Sequence, residues 1–337
     1  MRQGPKKVAL CLVLIASLVA FPLLNGCVSW AIIAALDTNE RPVETTPSPV
    51  VNPERPQGER DLLPDIDPPA PETEDELKDA RKPVSSYTIV DESYERIGTE
   101  VVGTLDNLEC QLKFDVEYPQ LQGLDASIQE KINQTIRDRA MYSVRTMYLE
   151  PTEHIHDFIV ENGPDDGNGL TPAGIILEST VRSYVTYNDD TIISIAFDDH
   201  FCIGSYYSEY RDLTTTNIDL STGEEYRKTN EIVQVTQELA DLWHERALAQ
   251  VPDSFFFDSQ PKEDFVFLLA DDENFINRYF SRFYIDSAGK IHIALTYHMG
   301  NDAGIARGWI DAALSAEELK PYRTQSAFWQ LYDNLVP

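Results

Sequence analysis

Basic residues are scarce in this chain. Against 57 aspartates and glutamates stand 27 lysines and arginines, a formal charge of −30 over 337 residues. The cation clusters that neutralise nucleic-acid phosphates are therefore missing, and the same sign works against anionic lipid and favours cationic partners through long-range steering. A plainer reading, that the acidity keeps an exported protein soluble, stands beside it. No Gly-x-Ser-x-Gly occurs anywhere, which removes the nucleophile elbow of the α/β-hydrolases. His244-Glu245-Arg246-Ala247-Leu248 begins like a zinc-protease helix but has leucine where the second imidazole must stand, so that site cannot form.

The first acidic residue is Asp37. Ahead of it come Arg2, Lys6 and Lys7, an apolar run of 17 residues from Val8 to Leu24, and Leu24-Asn25-Gly26-Cys27. A basic start, an apolar stretch and a small residue before cysteine form the pattern of a bacterial lipoprotein signal with Cys27 as the lipidated residue. Asn25 and the apolar Val28–Leu36 fit it poorly, and a single uncleaved transmembrane helix over about 8–36 is the alternative; an ordinary cleaved signal is the third. All three place the acidic remainder on the outer, extracytoplasmic face of the cell membrane.

Residues 37–86 contain no aromatic side chain, 10 of the 20 prolines, and 13 acids against 6 bases. Such a stretch buries too little apolar surface to offset its ordering entropy, so it reads as a disordered tether whose ends sit roughly 40 Å apart as a flexible coil. Residues 87–337 form the folded part, one large domain or two smaller ones divided at about 87–200 and 201–337. Cys110–Tyr118 alternates like a half-buried strand that Tyr118-Pro119 ends. Asp125 caps a helix with Ile128, Ile132, Ile136, Ala140 and Val144 as its apolar stripe, running to about Tyr148. Thr180–Thr186 with Thr191–Phe197, and Arg282–Ile285 with Lys290–Tyr297, read as antiparallel hairpins. Thr214–Leu220 is a strand ending in the turn Ser221-Thr222-Gly223. Val235–Ala249 is the second main helix, and Ser315-Ala316-Glu317-Glu318 is a capping box. Hairpins packed with two main helices indicate an α+β fold.

Sites of chemistry are few. His154-Ile155-His156 would present both rings on one strand face about 7 Å apart, but a metal there would need carboxylates folding back, and a polar loop is the plainer reading. His292 and His298 share a strand face about 20 Å apart. Asp198-Asp199-His200 has two members of a triad without an adjacent nucleophile. Gly163–Gly169 lacks the ligand spacing of a calcium loop, and Asp271-Asp272-Glu273 reads as a solvated loop. No catalytic residue, metal or cofactor is assigned. Cys110 and Cys202 are the only thiols of the exported part, and either a disulfide or two small buried hydrophobes fits them. Tyr206, Tyr207 and Tyr210 form the candidate binding surface, with an ordinary strand turning its aromatics inward as the alternative.

Tyr118-Pro119-Gln120-Leu121-Gln122-Gly123-Leu124 followed by Ile128–Asn133, Asn217-Ile218-Asp219-Leu220-Ser221-Thr222-Gly223-Glu224, Phe283-Tyr284-Ile285 with His292–Leu295, and Leu314–Leu319 resemble the extracytoplasmic domain of RsiV-type anti-sigma factors and of some membrane-bound peptidoglycan deacetylases. The resemblance covers most of 88–322. It departs at Gly204-Ser205-Tyr206-Tyr207-Ser208-Glu209-Tyr210, where those proteins carry a Gly-Gly-Ala-His-like stretch. Seven residues before the apolar run leave no room for a sigma-gripping region, and those after Tyr322 none for a deacetylase domain. What the resemblance implies is the sensing module alone, which in the anti-sigma relatives recognises lysozyme. The expectation is a membrane-anchored binding or sensing module of the bacterial cell envelope, for a basic protein such as lysozyme or for a cell-wall component; the alternative is an envelope hydrolase using Asp198, Asp199 and His200.

Overall fold

The structure, a computed structural model, describes residues 77–162, 175–204, 209–251, 256–257, 260–270, 279–301 and 304–335. The anchor with Cys27, tether residues 37–76, the 163–169 stretch, Tyr206, Tyr207 and the acids at 271–273 lie outside them. Among the described residues no helix is long and apolar enough to cross a membrane.

Among the described residues nine strands form two sheets in an α+β arrangement. The larger runs in the order β1 (Thr88–Val102), β2 (Leu108–Gln122), β3 (Ile175–Asn188), β4 (Ile192–Gly204), β5 (Glu209–Asp219), β6 (Glu225–Tyr226). All neighbours are antiparallel except β2 and β3, which are parallel from Cys110↔Ile175 to Val116↔Val181. Only the hairpins are visible locally; the parallel pair forms because the helical segment between β2 and β3 returns the chain to the end where β2 began. Position 200/201 falls inside β4.

β2 does not end at Pro119 but runs on to Gln122 against β1. Beyond Val116 it has lost β3, so proline's missing N–H lies in a stretch with one free edge, where it is tolerated. The first helix, α1 (Ala126–Ala140), begins where Asp125 accepts hydrogen bonds from the Ser127 and Ile128 amides. Its Ile132, Ile136 and Ala140 are fully buried in one cluster with Phe114, Val116, Val181 and Phe197 on one face of the sheet. The stripe continues to Tyr148, but through a break at Met141 and a π-helical turn at Arg145–Leu149 rather than as one helix. A further helix, α2 (Glu153–Asn162), precedes β3.

The last residues of the stretch read as tether are held in place. The Ala80 amide donates to the Val185 carbonyl at 2.8 Å, and the Asn188 side chain accepts from the Lys82 amide at 2.8 Å while donating to the Lys82 carbonyl at 2.9 Å. This segment covers the edge of β3 that β2 vacates after Val181.

The smaller sheet is the antiparallel meander β7 (Tyr279–Ile285), β8 (Ile291–Asn301), β9 (Gly304–Leu314). One face carries Phe283, Ile285, Ile291, Ile293, Leu295, Ala312 and Leu314 into a second core. There it meets α3 (Gln237–Gln250), through Leu239, Ala240, Trp243 and Ala247, α4 (Phe265–Ala270), and the C-terminal Phe328, Trp329 and Tyr332. The other face lies along β5. The Leu213 amide donates to Thr296 Oγ1 at 3.2 Å, and Thr215 Oγ1 and Asn217 Nδ2 donate to the Phe283 carbonyl at 2.7 and 2.9 Å. The edge that β6 leaves open on β5 is thus covered by the second sheet. In the Asp219-Leu220-Ser221-Thr222-Gly223 turn, Asp219 accepts from the Ser221 amide and the Ser221 and Thr222 hydroxyls, and Gly223 adopts φ +66°, which a side chain would resist.

Candidate functional site

Strand alternation decides the fate of Asp198-Asp199-His200. They lie on β4, where successive side chains point to opposite faces, so Asp198 and His200 share the outer face and Asp199 turns into the core. The triad-like grouping is thereby divided by the sheet itself.

On the inner face Asp199 stands opposite Asp212 of β5. Ser179 Oγ donates to Asp199 Oδ1 at 3.1 Å and lies 2.8 Å from Ser143 Oγ. Asp212 Oδ1 is 2.5 Å from His298 Nε2, which arrives from β8. Both members of that pair are under 10% exposed. Tyr210 packs alongside: its ring stacks on Phe201 at 5.0 Å, meets His298 edge-on at 4.9 Å and lies under the Arg307 guanidinium at 4.2 Å. Of the three tyrosines proposed as a binding surface, Tyr210 is engaged inside the protein.

Burial pushes the Asp199 carboxyl up to about 8; the Asp212 and Asp198 charges add to the rise, and hydrogen bonds from Ser143 and Ser179 oppose it. A carboxyl raised in the folded state binds a proton that the unfolded chain has released, so its contribution to stability is complete below about pH 4 and is lost as pH rises toward 8. Each pH unit in that window is worth about 1.4 kcal/mol. Asp199→Asn, which mimics the protonated form, is expected to exceed the parent in stability by about 2 kcal/mol or more at pH 7.5, the gap narrowing toward pH 4. Urea unfolding at several pH values measures it, and a gap independent of pH would mean that Asp199 ionises like a surface aspartate.

On the outer face Asp198 receives the Arg211 guanidinium bidentately at 3.0 and 2.9 Å, the Trp309 indole N–H at 3.4 Å, and lies 3.5 Å from His200 Nε2. Burial alone would raise its pKa, but the hydrogen bonds from His200 and Arg211 outweigh it and hold the carboxyl well below the usual carboxylate range. Arg211 also lies over the Trp309 ring at 5.8 Å. Beside this cluster runs a lattice of surface pairs: Lys113 with Glu178, Arg182 with Asp115 at 2.5 Å, and Arg182 with Glu117 at 3.9 Å. Glu95 and Glu109 complete the face, to which they have no paired cation among the described residues. No described helix covers this part of the sheet, and His200 is 55% exposed. A hydrolytic triad places the imidazole between a nucleophile and an otherwise uncommitted acid. Here the acid is committed to an arginine and the second acid lies through the sheet, so Asp198, Asp199 and His200 do not converge.

A third cluster escapes sequence reasoning. His292 Nδ1 is 2.8 Å from Asp311, its Nε2 is 3.2 Å from Asp286, and Tyr284 stacks on its ring at 4.6 Å while donating its hydroxyl to Asp311 at 2.5 Å. Burial would lower the imidazole, but the two carboxylates outweigh it and push it up to about 9. The protonated ring clamps the β7–β8 turn, where Asp286 accepts the Ala288 and Lys290 amides, to β9. The only sequence signal was the i, i+6 placement of Asp286 and His292 across a hairpin.

The cysteines fit the second of their two readings, and one expectation is corrected. Cys110 and Cys202 are not joined. They sit on β2 and β4 with β3 between, opposite Ile175 and Glu178 respectively, so two strand spacings of about 4.8 Å separate them, beyond the reach of about 7 Å between Cα atoms that a disulfide needs. The buried Cys110 thiol is pushed up to about 11 by desolvation. His154-Ile155-His156 lies in α2, not on a strand or loop, because Glu153–Asn162 closes a helix after Pro151. Positions two apart do not share a helix face, and His156 sits 3.2 Å from Asp106. Among the described residues no group of three or more histidines, cysteines or acids is placed to hold a metal.

No protein-family model matches the chain, and no curated protein matches it. Among solved structures it is similar to a member of the DUF3298 family from Bacteroides fragilis NCTC 9343, at 13% identity and TM-score 0.44 over 74% of this chain and 99% of that one. It is similar also to a DUF3298 family protein from Pseudomonas aeruginosa PAO1, at 12% identity and TM-score 0.39 over 71% of this chain and 95% of that one.

Proposed function

We propose that the protein is a binding module of the bacterial cell envelope, held at the outer face of the membrane by its N-terminal segment, and that its partner is cationic: a basic protein or a cell-wall component. The observation that carries this reading is the outer face of β1–β3. It faces solvent, and its carboxylates Glu95, Glu109, Asp115, Glu117 and Glu178 outnumber the cations Lys113 and Arg182, while Asp198 beside it is buried against Arg211 and Trp309. Paired surface charges of this kind steer and orient a partner of opposite sign rather than perform chemistry. The resemblance to the sensing domains of anti-sigma factors points the same way, and lysozyme is the cationic protein it suggests as a probe.

Titration of the full-length chain in detergent with lysozyme, followed by calorimetry at about 150 mM salt where surface charges more than about 8 Å apart are screened, tests it. Binding near the micromolar range is expected, weakened about tenfold or more by the pair Glu109→Lys and Glu117→Lys, equivalent to about 1.4 kcal/mol or more. Absence of heat at this salt and at lower salt would sink the reading for basic proteins; equal binding by the charge-reversed variant would place the contact elsewhere.

A further inference from the structure

β1 pairs with a neighbour on one side only. Its inner edge is matched to β2 from Thr88↔Gln122 to Val102↔Leu108, and it ends the strand order of the larger sheet. Among the described residues nothing lies in ladder with its other edge. Fifteen residues of extended backbone with one row of unshared N–H and C=O groups form a template for another strand.

Its side chains do not suit an edge meant only to face water. Ile97 and Val101 are 68% and 64% exposed, and alternation sets them on the outer face with Thr99 between. Gly98 lies at the centre of the strand at φ +152°, and a Cβ built there would meet nothing within 4 Å. An interior strand glycine weakens the strand and commonly marks a place where another backbone comes close.

The charges choose among occupants. β1 carries Asp91, Glu92, Glu95 and Glu100 against a single cation, Arg96, and that cation is held by Glu100 at 2.5 Å and lies over the Tyr148 ring. Glu109 of β2 adds another carboxylate beside Val101. A second copy of this strand would bring one acidic edge against another, and like charges facing across strands are destabilising. An extended segment whose same-face positions, every second residue, carry both cations and β-branched residues meets all three features: backbone donors and acceptors for the ladder, apolar side chains for Ile97 and Val101, and cations for Glu95 and Glu109.

We propose that β1 is a docking edge that takes up an extended cationic segment of another protein as a seventh strand of the sheet. The sign of the partner agrees with the binding function proposed above and rests on it; the mode of capture does not.

The test uses the full-length chain in detergent and a capped synthetic peptide of eleven residues in which lysine and valine take turns at every second position with threonine between them, so that one face carries both. Hydrogen exchange read by mass spectrometry over residues 88–102 is expected to slow about tenfold or more on adding the peptide. The same peptide with every second backbone nitrogen methylated keeps its charge but cannot form the ladder, and is expected to bind at least tenfold more weakly. Ile97→Lys with Val101→Lys changes two exposed side chains and is expected to fold as the parent does while losing binding about tenfold. Equal binding of the methylated peptide would overturn the proposal by reducing the attraction to charge. Self-association in sedimentation that the double variant abolishes would overturn it in favour of a second copy as occupant. If lysozyme binds while residues 88–102 exchange unchanged with the peptide, capture at β1 is wrong and the binding function stands; slowed exchange with the peptide but no lysozyme complex gives the converse.

Discussion

His298→Ala lowers the stability of the folded part by about 1–3 kcal/mol, the usual loss when a buried polar group is left without its hydrogen-bond partner. The reason is the position of Asp212. It is 6% exposed, stands opposite Asp199 on the same inner face, and has His298 Nε2 at 2.5 Å. Without the imidazole, the buried Asp212 carboxyl loses the partner of its Oδ1. Urea unfolding at pH 7 gives the loss directly. Asp212→Asn placed in the same background replaces the stranded carboxyl by an amide and is expected to restore part of it, whereas a generic packing defect at position 298 would leave the double variant no better. A loss below about 0.5 kcal/mol would mean that water reaches Asp212 and replaces the lost hydrogen bond.

That pair also shows how far the sequence could be read. The elements whose residues carry their own signal were legible: the four-residue apolar stripe of α1 with Asp125 at its head, the hairpins β3–β4 and β7–β8, the Asp219-x-x-Thr222-Gly223 turn, and the Ser315 capping box, in which Ser315 and Glu318 bond each other's backbone amides. Each is set by contacts within a few residues. β4 was read only to Phe197, because Asp198-Asp199-His200 looks like the polar end of a strand. The strand continues because both acids find partners well outside the local turn: Arg211 and Trp309 for Asp198, Ser179 for Asp199. The partners of Asp212 and Asp198 on β8 and β9 are 86 and 111 residues away, and no local period records such pairings. Once β4 is carried through to Gly204, alternation alone separates Asp198 and His200 from Asp199, so that these three side chains do not converge follows from a rule already available from the sequence.

The parallel pairing of β2 with β3 was hidden for a related reason. Hairpins announce themselves by a short turn, whereas a crossover through α1, the π-helical turn and α2 leaves the neighbour of β2 undetermined until the helices are packed. The cysteines followed from this: Cys110 and Cys202 looked like neighbours only while β3 was not known to lie between them.

Trp243→Ala is the second large effect, about 3–5 kcal/mol, and it falls on the other core. The indole is fully buried among Phe257 and Phe265, with ring centres at 6.3 and 5.6 Å. Its Nε1–H donates to the Ile293 carbonyl on β8 at 2.7 Å. Alanine removes the apolar surface that joins α3 to the smaller sheet and the indole N–H together; Trp243→Phe removes the N–H and part of the volume, and is expected to cost about 1–2 kcal/mol. Both residues 293 and 298 lie on β8, five positions or about 17 Å apart at the rise of a strand. Substitutions that far apart with no shared partner add within about 0.5 kcal/mol. The Trp243→Phe, His298→Ala double variant is therefore expected to lose the sum of the two single losses in urea unfolding. A shortfall of more than about 1 kcal/mol would mean that β8 carries strain between the second core and the Asp212–His298 pair. The small sheet would then act as one rigid element, coupling the helical side of the protein to the buried charges beneath its open face.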